Sequence, residues 1–447
     1  MSRRVRASAC AGSAVGLAIG SAAAEAPAQI APPAPETIGV GDWQLAPVVE
    51  VRMRGGYTRG IDDGYWVPLA ERSRLGLDVA RGPFEGRVVI EDARLLYVAG
   101  DVGPAWGPAP LGLTGAYEAW AEAHTASPRP AYVRVGRQPV TWGEGRLLGV
   151  ADWSPTARSL DAVRGVFPLG DGAFELLAAS LSDPSLPLGT SYGELFGARG
   201  QWALHPLVSV EAYVLARLVQ GALGPAVEAS VRGQTYTGAI RAYGDGYGWT
   251  WGVEGAYQLG RADAVRGGEN RAAWAADGHV ARAFERVLLL PTLRLGVSYA
   301  SGDDGRGTYR AFDPLLPDVH VWHGAMDLFS WSNEEEASAR AAITPWTDTI
   351  VTVEYRYARL AEPRGAWLNA YLVRIGEAPG NTHPELGHEI DAFSTWSPWV
   401  SLELTAGYSV LVLGDGARAA LQAPSLGLSA TPAVSHLAYA QATFRIP

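Results

Sequence analysis

Hydrophobic and polar residues alternate along many short segments of this chain. Val49, Val51 and Met53, for example, alternate with Glu50 and Arg52. Because a β-strand points successive side chains to opposite faces, this period of two predicts strands with one apolar face. The same alternation occurs in residues 72–79, 84–91, 117–122, 132–138, 199–204, 208–214, 237–242, 249–258, 293–299, 351–357, 402–409 and 436–446. In the segment 117–122 it places Tyr117 on the apolar face.

Lipid, and not a second protein layer, is the expected cover for these apolar faces. The opposite faces carry Arg and Glu, and aromatic residues cluster near strand ends at 65–66, 247–251 and 396–399, as in the interfacial girdles of membrane barrels. After the N-terminal segment, no stretch approaches the roughly 20 apolar residues of a membrane helix. The pattern predicts an all-β protein, a single transmembrane antiparallel β-barrel of about 16–18 strands. A barrel of this size is expected to enclose an aqueous channel and not a packed core.

The N-terminus has the pattern of a secretory signal. Three arginines precede a small-residue apolar stretch, and Ala22 to Ala24 offer a cleavage site. We therefore divide the chain into a signal peptide (1–24), a Pro/Ala-rich N-terminal segment (25–42) and an outer-membrane barrel (43–447). The only cysteine, Cys10, falls in the signal, so no disulfide is expected in the mature chain.

Charge and motifs narrow the function. The 447 residues carry a net charge of −10, which argues against a nucleic-acid partner. The chain has no Gly-x-Ser-x-Gly elbow, phosphate-binding loop or HExxH motif, and we predict neither enzymatic activity nor a cofactor.

Three blocks of sequence resemble the alginate export family of outer-membrane porins. The first block begins with Gly136-Arg137-Gln138 and continues through residues 142–146, Asp152-Trp153 and residues 158–161. The second block is residues 311–329. The third is residues 386–391, followed by residues 406–409.

The resemblance implies a monomeric channel in the cell outer membrane that passes an anionic polysaccharide outward. It also implies an Arg-rich pore that loops partly close, with periplasmic export partners delivering the polymer. The partners expected for this chain are therefore outer-membrane lipid, an anionic polysaccharide or small anionic solute, and periplasmic export proteins.

Guanidinium groups suit such a pore, since they bind carboxylates in a planar, bidentate way and stay charged at any working pH. A row of weak sites allows a charged solute to enter and to leave. The candidate lumen residues, which share the polar face of their strands, are Arg52, Arg74, Arg87, Arg134, Arg199, Arg241, Arg294 and Arg356. The candidates for a constriction in the connection after residue 138 are Arg146, Asp152, Arg158 and Asp161. Arg137 is left out, because it shares the apolar parity of Val133 and Val135.

The same arginines also fit a structural interpretation, in which they brace the barrel wall by pairing with carboxylates. A positive lumen then requires most acids to lie in loops, as expected for residues 303–304 and 334–336. His320, His323 and Asp327 allow a metal interpretation. The resemblance accounts for these three residues as a loop feature, and we predict no metal site.

Two alternative functions stay open at this point. A general diffusion porin would have the same barrel with weaker charge selectivity. A secreted β-rich carbohydrate-active enzyme would use the Trp-rich surface to bind sugar instead of lipid.

Overall fold

A computed structural model describes residues 37–61, 64–100, 113–182, 191–219, 233–262, 268–422 and 433–446. The predicted signal peptide lies outside these residues. The strands are β1 (Ile38–Val40), β2 (Trp43–Arg59), β3 (Tyr65–Arg81), β4 (Phe84–Gly100), β5 (Leu113–His124), β6 (Tyr132–Gln138), β7 (Leu160–Leu169), β8 (Gly172–Ser182), β9 (Ser191–His205), β10 (Val208–Val219), β11 (Gly233–Gly246), β12 (Trp249–Ala262), β13 (Glu269–Ala283), β14 (Thr292–Ala300), β15 (Glu334–Trp346), β16 (Thr349–Leu360), β17 (Trp367–Leu368), β18 (Arg374–Gly376), β19 (Glu385–Trp399), β20 (Leu402–Leu413) and β21 (Val434–Arg445). One helix, α1 (Asp415–Leu421), follows β20.

The strands form a closed barrel. Each long strand pairs with the next in antiparallel register, and the last, β21, pairs with the first long strand, β2. Within the described residues, eighteen strands make up the barrel wall, and β1 adds a short pairing at the end of β2. The predicted all-β membrane barrel is confirmed. In the described ranges no helix is long and apolar enough to cross a membrane.

The two faces of the wall differ in the way that the alternation predicts. On neighbouring strands, Leu75 and Ile90 are well exposed, whereas Arg74 and Glu91 are buried and bonded to each other. The exposed apolar parity faces outward, where lipid covers it, and the polar parity faces the interior.

The connections differ strongly between the two ends of the barrel. One end has tight turns, such as residues 82–83, 170–171 and 247–248. The other end carries long connections, among them residues 139–159 and 301–333. In outer-membrane barrels short turns face the periplasm and long loops face outward, and this asymmetry sets the orientation of the chain.

Two of the long connections fold into the barrel. We name them the first inner loop (residues 139–159) and the second inner loop (residues 301–333). They bond to inward-facing residues of strands around the wall: the Trp142 side chain donates from Nε1 to Glu175 Oε1 of β8 at 2.7 Å, and the backbone Gly143 N donates to Glu211 Oε1 of β10 at 3.0 Å. Backbone bonds join the loops to each other, as from Asp318 N to Gly145 O at 2.7 Å.

An apolar cluster packs the two loops against the inner wall. It combines loop residues with inward-facing residues of β8 to β10. Beside the loops, the inward positions of these strands carry apolar instead of polar side chains. Its larger members are Trp142, Leu147, Leu148, Phe312, Leu315, Trp331, Leu177, Leu195, Tyr213 and Leu215. The expectation of an interior without a packed core is wrong for this part of the barrel, because the loops bring their own apolar residues inside.

Two further expectations are corrected. Tyr117 is the extra residue of a β-bulge opposite Val89 and Ile90, and its ring faces inward, 3.8 Å from the guanidinium carbon of Arg74. The extra residue of a bulge shifts the alternation of inward and outward side chains by one position, so a strict period of two mispredicts the residues on one side of the bulge. Residues 334–336 are not in a loop but begin β15, with Glu334 and Glu336 buried.

Outward apolar residues should be sensitive to charge at mid-membrane depth. Replacing Leu75, which is 67% exposed, by Arg should destabilise the barrel by about 2–4 kcal/mol, because the guanidinium would face hydrocarbon. Urea unfolding in lipid vesicles, followed by Trp fluorescence, measures this change. Leu288→Arg is the matched control, since Leu288 is 85% exposed in the turn 284–291, and equal effects of the two substitutions would contradict the lipid-facing assignment.

Candidate functional site

Arginines of β2 and β3 surround Asp152 of the first inner loop. Arg72 Nη1 lies 2.9 Å and Arg74 Nη2 lies 3.0 Å from Asp152 Oδ1. Arg52 Nη1 donates to the Asp152 carbonyl at 2.7 Å. We name these residues, with Arg54, the arginine cluster. Arg52 and Arg54 are two residues apart on β2, and so are Arg72 and Arg74 on the neighbouring β3. Residues two apart on a strand share a face, so all four guanidiniums lie on one side of the lumen.

Within this group the acid is the accessible partner. The Asp152 side chain is 43% exposed, whereas those of Arg52, Arg72 and Arg74 are almost fully covered. Burial raises the pKa of Asp152, but Arg72, Arg74 and Arg52 outweigh it and hold that pKa below the usual range. Asp152 is therefore ionised at neutral pH, and its ion pairs weaken only as the pH falls through this lowered pKa.

Arg54 differs from its neighbours because an aromatic ring holds it. Its guanidinium carbon lies 3.4 Å from the Trp153 ring, and the His320 ring stacks against Trp153 at 3.5 Å. Arg54 Nε donates to Gln441 Oε1 at 2.9 Å. Among the described residues it has no carboxylate within ion-pair distance, so its charge is neutralised less than those of the other three.

The first inner loop is also fixed to the opposite wall. Arg146 Nη2 lies 2.9 Å from Asp277 Oδ1 of β13, and its guanidinium carbon lies 4.3 Å from the Trp322 ring. Glu144 Oε1 accepts from Arg241 Nη2 of β11 at 2.8 Å. Arg146 is 4% exposed, which makes it a buried anchor of the loop in this structure.

Arg158 ties the two inner loops together. Its Nη1 donates to the carbonyls of Gly149, Leu316 and Pro317 at 2.8, 2.7 and 2.9 Å. Burial lowers the pKa of Arg158, although an arginine stays protonated at working pH. It therefore acts as a cationic clamp on neutral acceptors.

Most of the other arginines predicted for the lumen are paired with carboxylates of the wall. The pairs, with their nitrogen–oxygen distances, are Arg87–Asp78 (2.5 Å), Arg134–Glu122 (2.8 Å), Arg199–Glu211 (2.8 Å), Arg241–Glu144 (2.8 Å) and Arg356–Glu354 (2.6 Å). Arg294 is the exception, with no ion pair to any residue that the structure describes. It lies opposite Arg340 in the β14–β15 register, and its guanidinium carbon is 5.4 Å from the Trp322 ring.

Comparison with known proteins identifies the family. The family model described as alginate export matches residues 101–425, which is most of the chain. The chain belongs to the alginate export family. The resemblance drawn from its three sequence blocks is thus confirmed, and so is its place in the outer membrane.

Solved structures resemble this alginate export protein in fold. Acinetobacter baumannii OccAB2 is 12% identical with a TM-score of 0.59, and the alignment covers 90% of this chain and 98% of that one. Pseudomonas aeruginosa OccD3 (OpdP) is 12% identical with a TM-score of 0.57, over 90% and 92% of the two chains. Pseudomonas aeruginosa OpdK, solved with vanillate, is 11% identical with a TM-score of 0.55, over 89% and 98%. No curated protein matches the sequence significantly.

The family and the closed barrel make this protein an outer-membrane channel. They point to a non-enzymatic transporter and away from the secreted carbohydrate-active enzyme considered from the sequence.

Asp161 does not join the other constriction candidates. It begins β7 on the outward parity of Val163, is half-exposed, and lies 3.9 Å from Arg137 Nε. Arg137 lies opposite Asp161 in the β6–β7 register and keeps the outward parity of Val133 and Val135. We therefore remove Asp161 from the candidate site, because its side chain points away from the lumen.

The sequence-based set missed two members of the arginine cluster. Arg72 and Arg54 share the inward parity of Arg74 and Arg52, so the alternation already contained the signal that identifies them. By contrast, Asp313 of the second inner loop pairs with Arg217 and lies 3.6 Å from Arg271 Nη1, a contact that no local pattern indicates. Burial raises the pKa of Asp313, but the two arginines outweigh it and lower that pKa overall.

Replacing Arg158 by Met should loosen the two inner loops. The Gly149 and Pro317 carbonyls lose their donor, whereas the Leu316 carbonyl still accepts from Gly149 N. Each buried acceptor left without a donor costs about 1–3 kcal/mol. We expect larger open-channel current fluctuations in planar bilayers, with the barrel still folded. Arg418→Met is the control, because Arg418 on α1 is partly exposed and its one ion pair within the described residues is to Asp415. Equal current noise in the two variants would refute the clamp.

Proposed function

We propose that this channel passes anionic solutes that carry carboxylates, and an acidic polysaccharide in particular, along the arginine cluster. The observation that carries the proposal is the convergence of Arg52, Arg72 and Arg74 on one accessible carboxylate, Asp152, with Arg54 beside them over the Trp153 ring. A uronate polymer presents one carboxylate per sugar, which is the group that guanidiniums bind best.

Asp152 gives a physical reason for weak binding, which conduction requires. A carboxylate that enters the lumen meets guanidiniums already occupied by Asp152. It must compete for them, and Asp152 takes them back when the solute moves on. Arg54 and Arg294, which lack carboxylate partners among the described residues, would supply the net attraction.

Family membership supports the polymer, and the fold relatives support small carboxylates. OpdK, which shares this barrel fold, was solved with vanillate, an aromatic carboxylate. Guanidiniums recognise the carboxylate in both solutes, which differ in size and in the ring that carries this group.

A general diffusion porin is the second candidate, and the wall pairs favour it. Arg134, Arg199 and Arg356 each bond a carboxylate of the wall at short distance. Such pairs brace the barrel and leave little unpaired positive charge to bind a solute. The two candidate functions therefore differ in the preference of the channel for anions over cations.

Neutralising the arginine cluster should reduce anion preference. In the double variant Arg52→Gln/Arg74→Gln, the anion-to-cation permeability ratio, measured from reversal potentials in a salt gradient, should fall about threefold. Arg81→Gln is the control, since Arg81 is exposed at the short-turn end and pairs with Asp42. An unchanged permeability ratio in the folded double variant, or a cation preference of the unmodified channel, would contradict the proposal and favour the general diffusion porin.

Replacing Asp152 by Asn should act in the opposite direction. The substitution removes the carboxylate that Arg52, Arg72 and Arg74 share, while Glu50 and Glu91 stay paired with Arg72 and Arg74. Anion preference should therefore rise, and an oligouronate should block the current at lower concentration. An uncharged dextran oligomer of the same length controls for size. If Asp152→Asn leaves oligouronate block unchanged, Asp152 does not compete with the solute.

A further inference from the structure

The second inner loop returns to the wall at His323, where two carboxylates of β15 meet it. Glu334 and Glu336 are two residues apart and so point to the same inward face. His323 Nδ1 lies 3.1 Å from Glu336 Oε2 and 3.9 Å from Glu334 Oε2. All three side chains are buried.

These separations match the ligand shell of a small metal ion. Nitrogen and oxygen ligands lie about 2.0–2.2 Å from zinc, so neighbouring ligand atoms in a tetrahedral shell are about 3.3 Å apart. One ligand atom from each of the three residues lies within 4.8 Å of the others. An imidazole with two carboxylates selects first-row transition metals over calcium and magnesium, which prefer all-oxygen shells.

Charge around the three residues points the same way. Arg356, itself buried, gathers five buried carboxylates of β15, β16 and β19: Glu334, Glu336, Glu354, Glu389 and Asp391. Arg340 adds a second guanidinium through its pair with Glu354, and Arg146 and Arg294 also act on this group. Five carboxylates therefore face four guanidiniums, and buried charge without a counter-charge is costly. The remaining excess of acid favours a cation.

One carboxylate oxygen of the group has no hydrogen bond. Glu334 Oε1 is buried and accepts none from the residues that the structure describes, whereas Glu334 Oε2 accepts from Ser330 N at 3.1 Å. Glu336 directs one oxygen to Arg356 and the other to His323. A second His/carboxylate group, Glu144 with Asp277 and His279, lacks this freedom.

That second group is already occupied by guanidiniums. Both oxygens of Glu144 face arginines, Arg241 at 2.8 Å and Arg146 at 3.7 Å. Asp277 Oδ1 lies 2.9 Å from Arg146 as well. Cations therefore fill the positions where a metal ion would have to bind.

We propose that His323, Glu334 and Glu336 bind one first-row divalent metal ion, with zinc as its representative. The ion would tie the second inner loop to the barrel wall, a role separate from the passage of anions. This proposal departs from the expectation of no metal site drawn from the sequence, which considered His320, His323 and Asp327. The structure instead separates His320 from His323 and gives the latter its partners on β15.

Zinc binding to the purified protein tests the proposal. The full protein in detergent, prepared without a histidine tag and treated with EDTA, is dialysed against Zn²⁺, and bound metal is quantified by mass spectrometry. We expect one zinc per chain, and binding about tenfold or more weaker in His323→Ala and in Glu334→Gln. Co²⁺ in the unmodified protein should give the visible absorption of a site with nitrogen and oxygen ligands, a readout that needs no variant.

Two controls locate the metal. His388→Ala, which removes a histidine bonded to Tyr355 on the outer face, should bind zinc normally. His279→Ala should also bind normally, and loss of zinc there instead would overturn the assignment. The proposal also fails if the unmodified folded barrel binds no zinc, or if His323→Ala and Glu334→Gln bind it unchanged. Heat-modifiable migration in electrophoresis confirms that each variant is folded.

Discussion

Hydrogen bonding of the backbone in lipid is the constraint on which this structure depends. Hydrocarbon offers no partner to an exposed N–H or C=O, so a sheet in a membrane must close on itself. Here closure is the pairing of β2 with β21, with Glu50 opposite Arg445 and Arg59 opposite His436. Once the sheet is closed, every strand has one face toward lipid and one toward the interior. The period-two sequence pattern follows from this, and so does the confinement of most charged side chains of the strands to the inside.

That confinement creates a second requirement, which the interior satisfies by pairing. A guanidinium in a partly dry lumen needs a counter-charge, and the wall provides one at short distance for most arginines. The first inner loop adds Asp152, Glu144 and Arg146 to the same network. The loops are therefore held both by an apolar cluster and by ion pairs to opposite walls. A narrowed lumen results from these contacts and not from the barrel alone.

The predictable part of this structure is the part that a local period determines. Alternation predicts the strands, the lipid-facing side and the inward direction of Arg52 and Arg74, because each depends only on neighbours in sequence. It fails at bulges, as with Tyr117. It also fails for Glu334 and Glu336, whose acidic run resembles a loop but whose partners, Arg356 and His323, lie elsewhere in the chain.

The candidate site was less predictable for the same physical reason. Family resemblance brought attention to residues 136–164, but the partners of Asp152 and Arg158 come from β2, β3 and the second inner loop. Such contacts form only when the barrel closes and the loops fold into it. Asp161 illustrates the limit, since it lies in the same block and yet faces outward beside Arg137.

The arrangement of charge inside the barrel has a consequence for transport. Acids outnumber bases around Arg356, whereas guanidiniums dominate around Asp152 on the β2–β3 side. An anionic solute is therefore attracted to one side of the lumen and repelled from the other. In the proposed function its path depends on this asymmetry and not on the net charge of −10, which counts residues wherever they lie. A negatively charged chain can in this way line an anion path, provided that its excess acid lies away from that path.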